Sequence, residues 1–185
     1  DRSRPKDSKF ATPLEELTNE LNEKYPDVIM FLSKAKEVDS RIDEDVNNLN
    51  EILTYIRNKH NYAPPVIGVI TQVDELDPVY IDKPPYESEI KQKNIEDSVS
   101  RICEVFESNK IPLIKAIPVS AYAVFEEGKI VYNRIWNIEV LIDFLVDNLP
   151  REAKLELARL AKLVNVQKKI ARIIITSAAT VNAGI

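Results

Sequence analysis

Three apolar runs of strand length, Val28-Ile29-Met30-Phe31-Leu32, Val66-Ile67-Gly68-Val69-Ile70 and Leu113-Ile114-Lys115-Ala116-Ile117-Pro118-Val119, are separated by stretches that repeat apolar residues at helical spacing. An uninterrupted apolar strand is the mark of burial on both faces, and strands that alternate with helices are joined as parallel neighbours by helical crossovers. The expectation is therefore an α/β fold: a partial three-layer parallel sheet of at least three strands, with helices on both faces and further helices C-terminal to it. The first intervening helix is marked by Val46, Leu49, Leu53 and Ile56, with Asp45, Asn48, Glu51 and Arg57 on its polar side. The second is marked by Ile95, Val99, Ile102 and Phe106, with Cys103 beside that stripe and expected to be buried. Pro118, late in the third run, suits a strand end or a sheet edge.

Around this centre the chain divides at 27 and 150. Residues 1–26 open with a polar, basic lead-in (Arg2, Arg4, Lys6, Lys9), followed by a short helix with Thr12 as its cap, Pro13 at its first position and Leu14, Leu17 and Leu21 as its stripe. Pro26 ends that unit. Within 27–150, prolines 78, 84 and 85 deny regular structure to the polar loop after Asp74, and a loop or hairpin turns around Gly128. Asn137 is placed to cap a helix carrying Ile138, Leu141, Ile142, Leu145 and Leu149, with Trp136 stapling against Leu141. Residues 151–185 read as a helical tail with Leu157, Leu160, Ala161 and Val164 on one face. Its last part, Ile170 to Ile185, is apolar but shorter than the roughly 20 residues that cross a bilayer, so it reads as a helix cut short or as the start of a membrane-seeking hairpin.

A chain of 185 residues with 44% hydrophobic and 30% charged residues has the makeup of a globular domain. Its net charge of -5 gives no specific nucleic-acid signal, because neutralising phosphates needs a surplus of Lys and Arg. A single cysteine and the lack of a charged-then-apolar opening segment suggest a cytoplasmic protein, with membrane association through the tail as a further expectation. The chain begins at Asp1 and its only methionine is Met30, which suggests a piece of a longer protein.

Two short motifs stand where apolar runs stop. Thr71-Gln72-Val73-Asp74 follows the second run and Ser120-Ala121-Tyr122 the third. In an open parallel sheet, ligands bind outside the carboxyl ends of the strands, and strands that run the same way open these loops onto one edge. Thr and Asp at a strand end also serve as ordinary turn and cap residues, so each motif alone has a plain structural reading.

Taken together, and with Glu75-Leu76-Asp77-Pro78 after the first, the motifs resemble those of the Ras-like superfamily of GTPases, more narrowly its Era-like bacterial branch. The family's base-recognition motif is Asn-Lys-x-Asp, followed at the end of the next strand by Ser-Ala-Lys. The resemblance implies that Asp74 accepts two hydrogen bonds from guanine N1 and N2 while the Ala121 backbone N–H donates to O6. A fixed carboxylate against two donors is a strong bidentate contact, and adenine would leave polar groups unpaired. Three positions depart from the pattern. Thr71 replaces Asn and keeps a hydroxyl to tie neighbouring loops; Gln72 and Tyr122 each replace a Lys, which predicts weakened affinity for guanine.

The catalytic half of such an enzyme is not in this sequence. A phosphate loop needs G-x-x-x-x-G-K-[ST], and Gly68, Gly128 and Gly184, the only glycines, do not supply it. The family's Asp-x-x-Gly magnesium motif is missing too. The resemblance thus implies the base-recognition half of a GTPase domain whose intact parent binds GTP or GDP with Mg²⁺ and hydrolyses GTP, while this chain hydrolyses nothing and holds no nucleotide tightly. Its partners would be guanine nucleotide and, through the C-terminal helices, a membrane or a protein. The alternative is a GTPase-like interaction module that no longer binds nucleotide. A phosphoacceptor receiver domain fares worse, since Leu32-Ser33 offers no acidic acceptor. His60 reads as a helix-end histidine satisfying carbonyls, Asp39, Asp43, Glu44 and Asp45 as carboxylates at a helix start, and Lys168, Lys169 and Arg172 as a solvated face.

Overall fold

The computed structural model describes residues 13–38, 42–160 and 170. The Thr12 cap, Asp39, the basic lead-in and the tail residues Ala161, Val164, Lys168, Lys169 and Arg172 lie outside the described residues. The elements run α1 (Pro13–Glu20), β1 (Ile29–Lys34), α2 (Ile42–His60), β2 (Val66–Thr71), α3 (Glu89–Ser108), β3 (Leu113–Pro118), β4 (Ala123–Glu126), β5 (Lys129–Asn133), α4 (Ile138–Asn148) and α5 (Arg151–Leu160). This is an α/β protein. Its main sheet has the order β1-β2-β3 with every pair parallel, and β4 and β5 form a separate antiparallel hairpin.

The sheet separates two apolar layers. On one face, α2 and α3 bring Val46, Leu49, Leu53, Ile95, Ile102 and Phe106 against Phe31, Val66, Ile70 and Ala116. Gly68 belongs to this face: a Cβ there would stand 3.4 Å from Ile102 Cγ2, so its bare backbone lets α3 lie close. On the other face, α4 sets Ile138, Leu141, Phe144 and Leu145 over Ile67, Val69, Ile117 and Val119.

That second layer does not reach β1. Met30 and Leu32, whose register partners are Ile67 and Val69, remain 45% and 60% exposed. The expectation that the first apolar run is buried on both faces is thus corrected, because the covering helix lies over β2 and β3 alone. A buried aliphatic side chain is worth about 1.5–3 kcal/mol. Ile67 and Val69 draw on that gain, whereas Met30 and Leu32 forfeit about half of it.

Smaller corrections have equally local causes. Helix α1 stops at Glu20, before Pro26, and its Leu17 is exposed. Asn137 does not cap α4 with its side chain: its backbone is left-handed (φ 61°), and its Nδ2 donates to the Pro118 carbonyl at 2.8 Å. Trp136 packs on Tyr86, ring centroids 5.2 Å apart, on the face of the sheet opposite to Leu141, so there is no staple between Trp136 and Leu141. Cys103 is exposed rather than buried.

Candidate functional site

Strands β2 and β3 carry the two motif loops to one edge as neighbours. Ile70 is in register with Pro118, the Val119 N–H donates to the Ile70 carbonyl at 2.8 Å, and the Val73 N–H donates to the Val119 carbonyl at 3.4 Å. The hydroxyl of Thr71 donates to the Ser33 carbonyl at 3.3 Å, so the end of β2 is tied to β1 as well as to β3. Gln72 then takes a left-handed conformation (φ 61°) and is exposed. That reversal starts a single 3-10 turn, Val73–Glu75, which drives Val73 and Asp74 inward.

Asp74 is only 3% exposed, and its backbone is held from beneath. Lys91, on the first turns of α3, is fully buried, with its Nζ donating to the Asp74 carbonyl at 2.7 Å and to the Leu76 carbonyl. Its ammonium also lies 5.4 Å from the centre of the Tyr86 ring. Burial holds the Lys91 pKa below the ordinary lysine value, against the opposing fields of Asp74 and Asp77. An ammonium can be kept at such a depth only with its protons bonded. No role for Lys91 was expected from the sequence, although it stands four residues before Ile95 on the apolar stripe of α3, where a lysine is out of place.

The Asp74 carboxylate is engaged from the other side. Oδ2 accepts from Arg134 Nη1 at 3.2 Å. Arg134 follows β5, and its Nη2 donates to Asp82 Oδ2 while its Nε donates to the Tyr132 hydroxyl at 3.0 Å. The guanidinium lies over two rings, 5.2 Å from the centre of Tyr122 and 5.0 Å from that of Tyr132. Tyr132 in turn donates to Asp82, a bond that lowers the Asp82 pKa and raises that of Tyr132. The turn at Glu127 and Gly128, both with positive φ, closes the hairpin that delivers these groups.

The second loop is fixed by its backbone. Ser120 is fully buried and exchanges both backbone hydrogen bonds with Trp136, at 3.1 and 2.9 Å. The Ser120 and Tyr86 hydroxyls are both buried and face each other, without meeting in a well-formed hydrogen bond. The Tyr86 pKa is pushed up to about 12, first by burial and then by the nearby Asp74 carboxylate. Ala121 is exposed, and its N–H donates to no group among the described residues. Tyr122 is 52% exposed, with one ring face given to Arg134.

All six sequence-expected site residues, Thr71, Gln72, Asp74, Ser120, Ala121 and Tyr122, therefore sit at one sheet edge. Three groups are added to them: Lys91, Asp82 and Arg134. Elsewhere, His60 Nε2 lies 2.6 Å from the Leu21 carbonyl, as expected of a helix-end histidine. Asp43, Glu44 and Asp45 occupy the first turn of α2. The Cys103 thiol has a raised pKa, chiefly through desolvation, which disfavours the reactive thiolate. A cavity of about 680 Å³ lies against α3, lined by Tyr86, Gln92, Ile95, Val99 and Trp136 among others, but by neither Asp74 nor Tyr122. Among the described residues no helix is long and apolar enough to cross a membrane. No family model, curated protein or solved structure matches the chain.

Proposed function

We propose that this chain is the guanine-recognition half of a GTP-binding domain of the Ras-like, Era-like kind. The observation that carries the reading is the adjacency of the two loops: a buried acid at position 74 and an exposed residue at 121, whose N–H has no partner among the described residues, follow neighbouring parallel strands at their carboxyl ends. In this reading Asp74 accepts hydrogen bonds from N1–H and N2–H of the base, the Ala121 N–H donates to O6, Thr71 holds the strand ends together, and Tyr122 offers a ring face. Lys91 fixes the backbone from which the acid projects. Gln72 contributes no charge, which keeps affinity for the base modest.

The groups that would meet phosphates and Mg²⁺ are not in this sequence, so the chain contributes recognition and not phosphoryl transfer. The intact parent would bind GTP or GDP with Mg²⁺ and hydrolyse GTP. A membrane or protein partner is assigned to the helical tail on the same analogy.

The second reading is a GTPase-like interaction module without nucleotide. One observation favours it: the Asp74 carboxylate already has a cationic partner in Arg134, and Tyr122 already stacks on that guanidinium. Calorimetric titration of the full-length parent protein with GDP and with ATP separates the two. Heat with GDP and none with ATP supports base recognition; silence toward both supports the interaction module.

A further inference from the structure

We propose that Arg134 is an internal competitor for guanine, holding the Asp74 carboxylate in place of the base and retreating to Asp82 when the base binds. The proposal rests on the guanine reading of this site and adds a mode of regulation to it. The chemistry of the two ligands is the same. The N1–C2–N2 edge of guanine is a planar unit with neighbouring N–H donors, and an arginine fork presents an equivalent edge to a carboxylate. Adenine has an acceptor at N1 and cannot replace either.

Arg134 divides itself between two acids. Nη1 reaches Asp74 and Nη2 reaches Asp82, so neither ion pair is bidentate. The side chain of Asp74 is 4% exposed and that of Asp82 23%. Giving up Asp74 therefore costs Arg134 one pair and leaves it with the better-hydrated acid. The Tyr132 hydroxyl and ring remain as further contacts that hold the guanidinium there. The same movement frees the face of Tyr122, next to Ala121, for a purine ring. The exchange thus exposes the acid and a stacking surface together.

The test uses the full chain and guanosine, an uncharged probe without phosphates, followed by nitrogen-15 shift changes at residues 71–76 and 119–122, with adenosine as control. Arg134→Gln is expected to bind guanosine about fivefold to tenfold more tightly than the unaltered chain, with no matching gain for adenosine. Arg134→Lys, which keeps the charge but not the planar fork that engages the two acids, is expected to gain in the same direction by a smaller factor. If the unaltered chain binds guanosine and Arg134→Gln binds it no better, or gains equally for adenosine, the competitor role is overturned while base recognition stands. Guanosine binding to neither chain overturns base recognition and the competitor role with it. Should Arg134→Gln lose its fold, Arg134→Lys decides: tighter guanosine binding with no gain for adenosine supports competition, and unchanged binding overturns it.

Discussion

Lys91 Nζ and the Asp74 carbonyl oxygen are 2.7 Å apart, with the lysine fully buried, so the turn that carries the candidate acid is hung from the inside of α3. Lys91→Met keeps the volume and removes the donor, leaving the Asp74 and Leu76 carbonyls without this partner. A lost hydrogen bond to a charged group costs about 1.5–3 kcal/mol, partly offset here by relief from burying the ammonium. The expected net loss is about 1–2 kcal/mol, read from the urea midpoint, with faster amide exchange over residues 73–77.

The contact between Asp74 and Arg134 should be modest in stability. The arginine side chain is a quarter exposed and retains Asp82 when Asp74 is removed, so solvent and the second acid absorb most of the loss. Asp74→Asn, Arg134→Gln and the double variant, compared in urea, are expected to give a coupling energy of about 1 kcal/mol. A coupling of several kcal/mol would mean that this pair is a structural anchor that no ligand could displace.

Tyr86 sets a slope of stability with pH. Its pKa rises from 10.0 to about 12 in the fold, so between those values the folded chain keeps a proton that the unfolded chain has lost. The contribution is complete below pH 10 and is lost as pH climbs through about 12. Lys91, shifted down from 10.5, acts with the opposite sign in its own range, but it is common to both proteins in the comparison. Tyr86→Phe is therefore expected to show a flatter decline in urea stability from about pH 10 upward than the unaltered chain.

Gly128 has φ +77°, and a methyl group added there would have nothing within 4 Å, so Gly128→Ala meets no clash and costs only backbone strain. The expected cost is about 1–2 kcal/mol, confined to the hairpin. It should appear as shift changes at residues 123–134 with little change in the main sheet.

Much of the main sheet was legible because β2 is an uninterrupted apolar run and the helices flanking it keep strict periodicity. Pro118 marked the edge strand correctly. What composition could not convey is whether a face has a cover: Met30 and Leu32 are as apolar as Ile67 and Val69, and only the placement of α4 distinguishes them. The site divides along the same line. The two motif loops were readable because each ends a strand, whereas Arg134 lies 60 residues from Asp74 and 52 from Asp82 and meets them only once the hairpin has formed. Lys91 could have been found, since it interrupts an otherwise apolar stripe. Asn137 could not, because its left-handed backbone turns the amide toward Pro118 instead of the helix start.

At the rim of the main sheet, β1 has no strand partner on its outer side among the described residues, and two oily side chains flank that open ladder. Lys34, at its exposed end, is the strand's only charge and a thin guard against docking by another chain. Crowding should therefore turn solutions of this protein cloudy well before heating unfolds it, and a polar replacement at Leu32 should keep them clear.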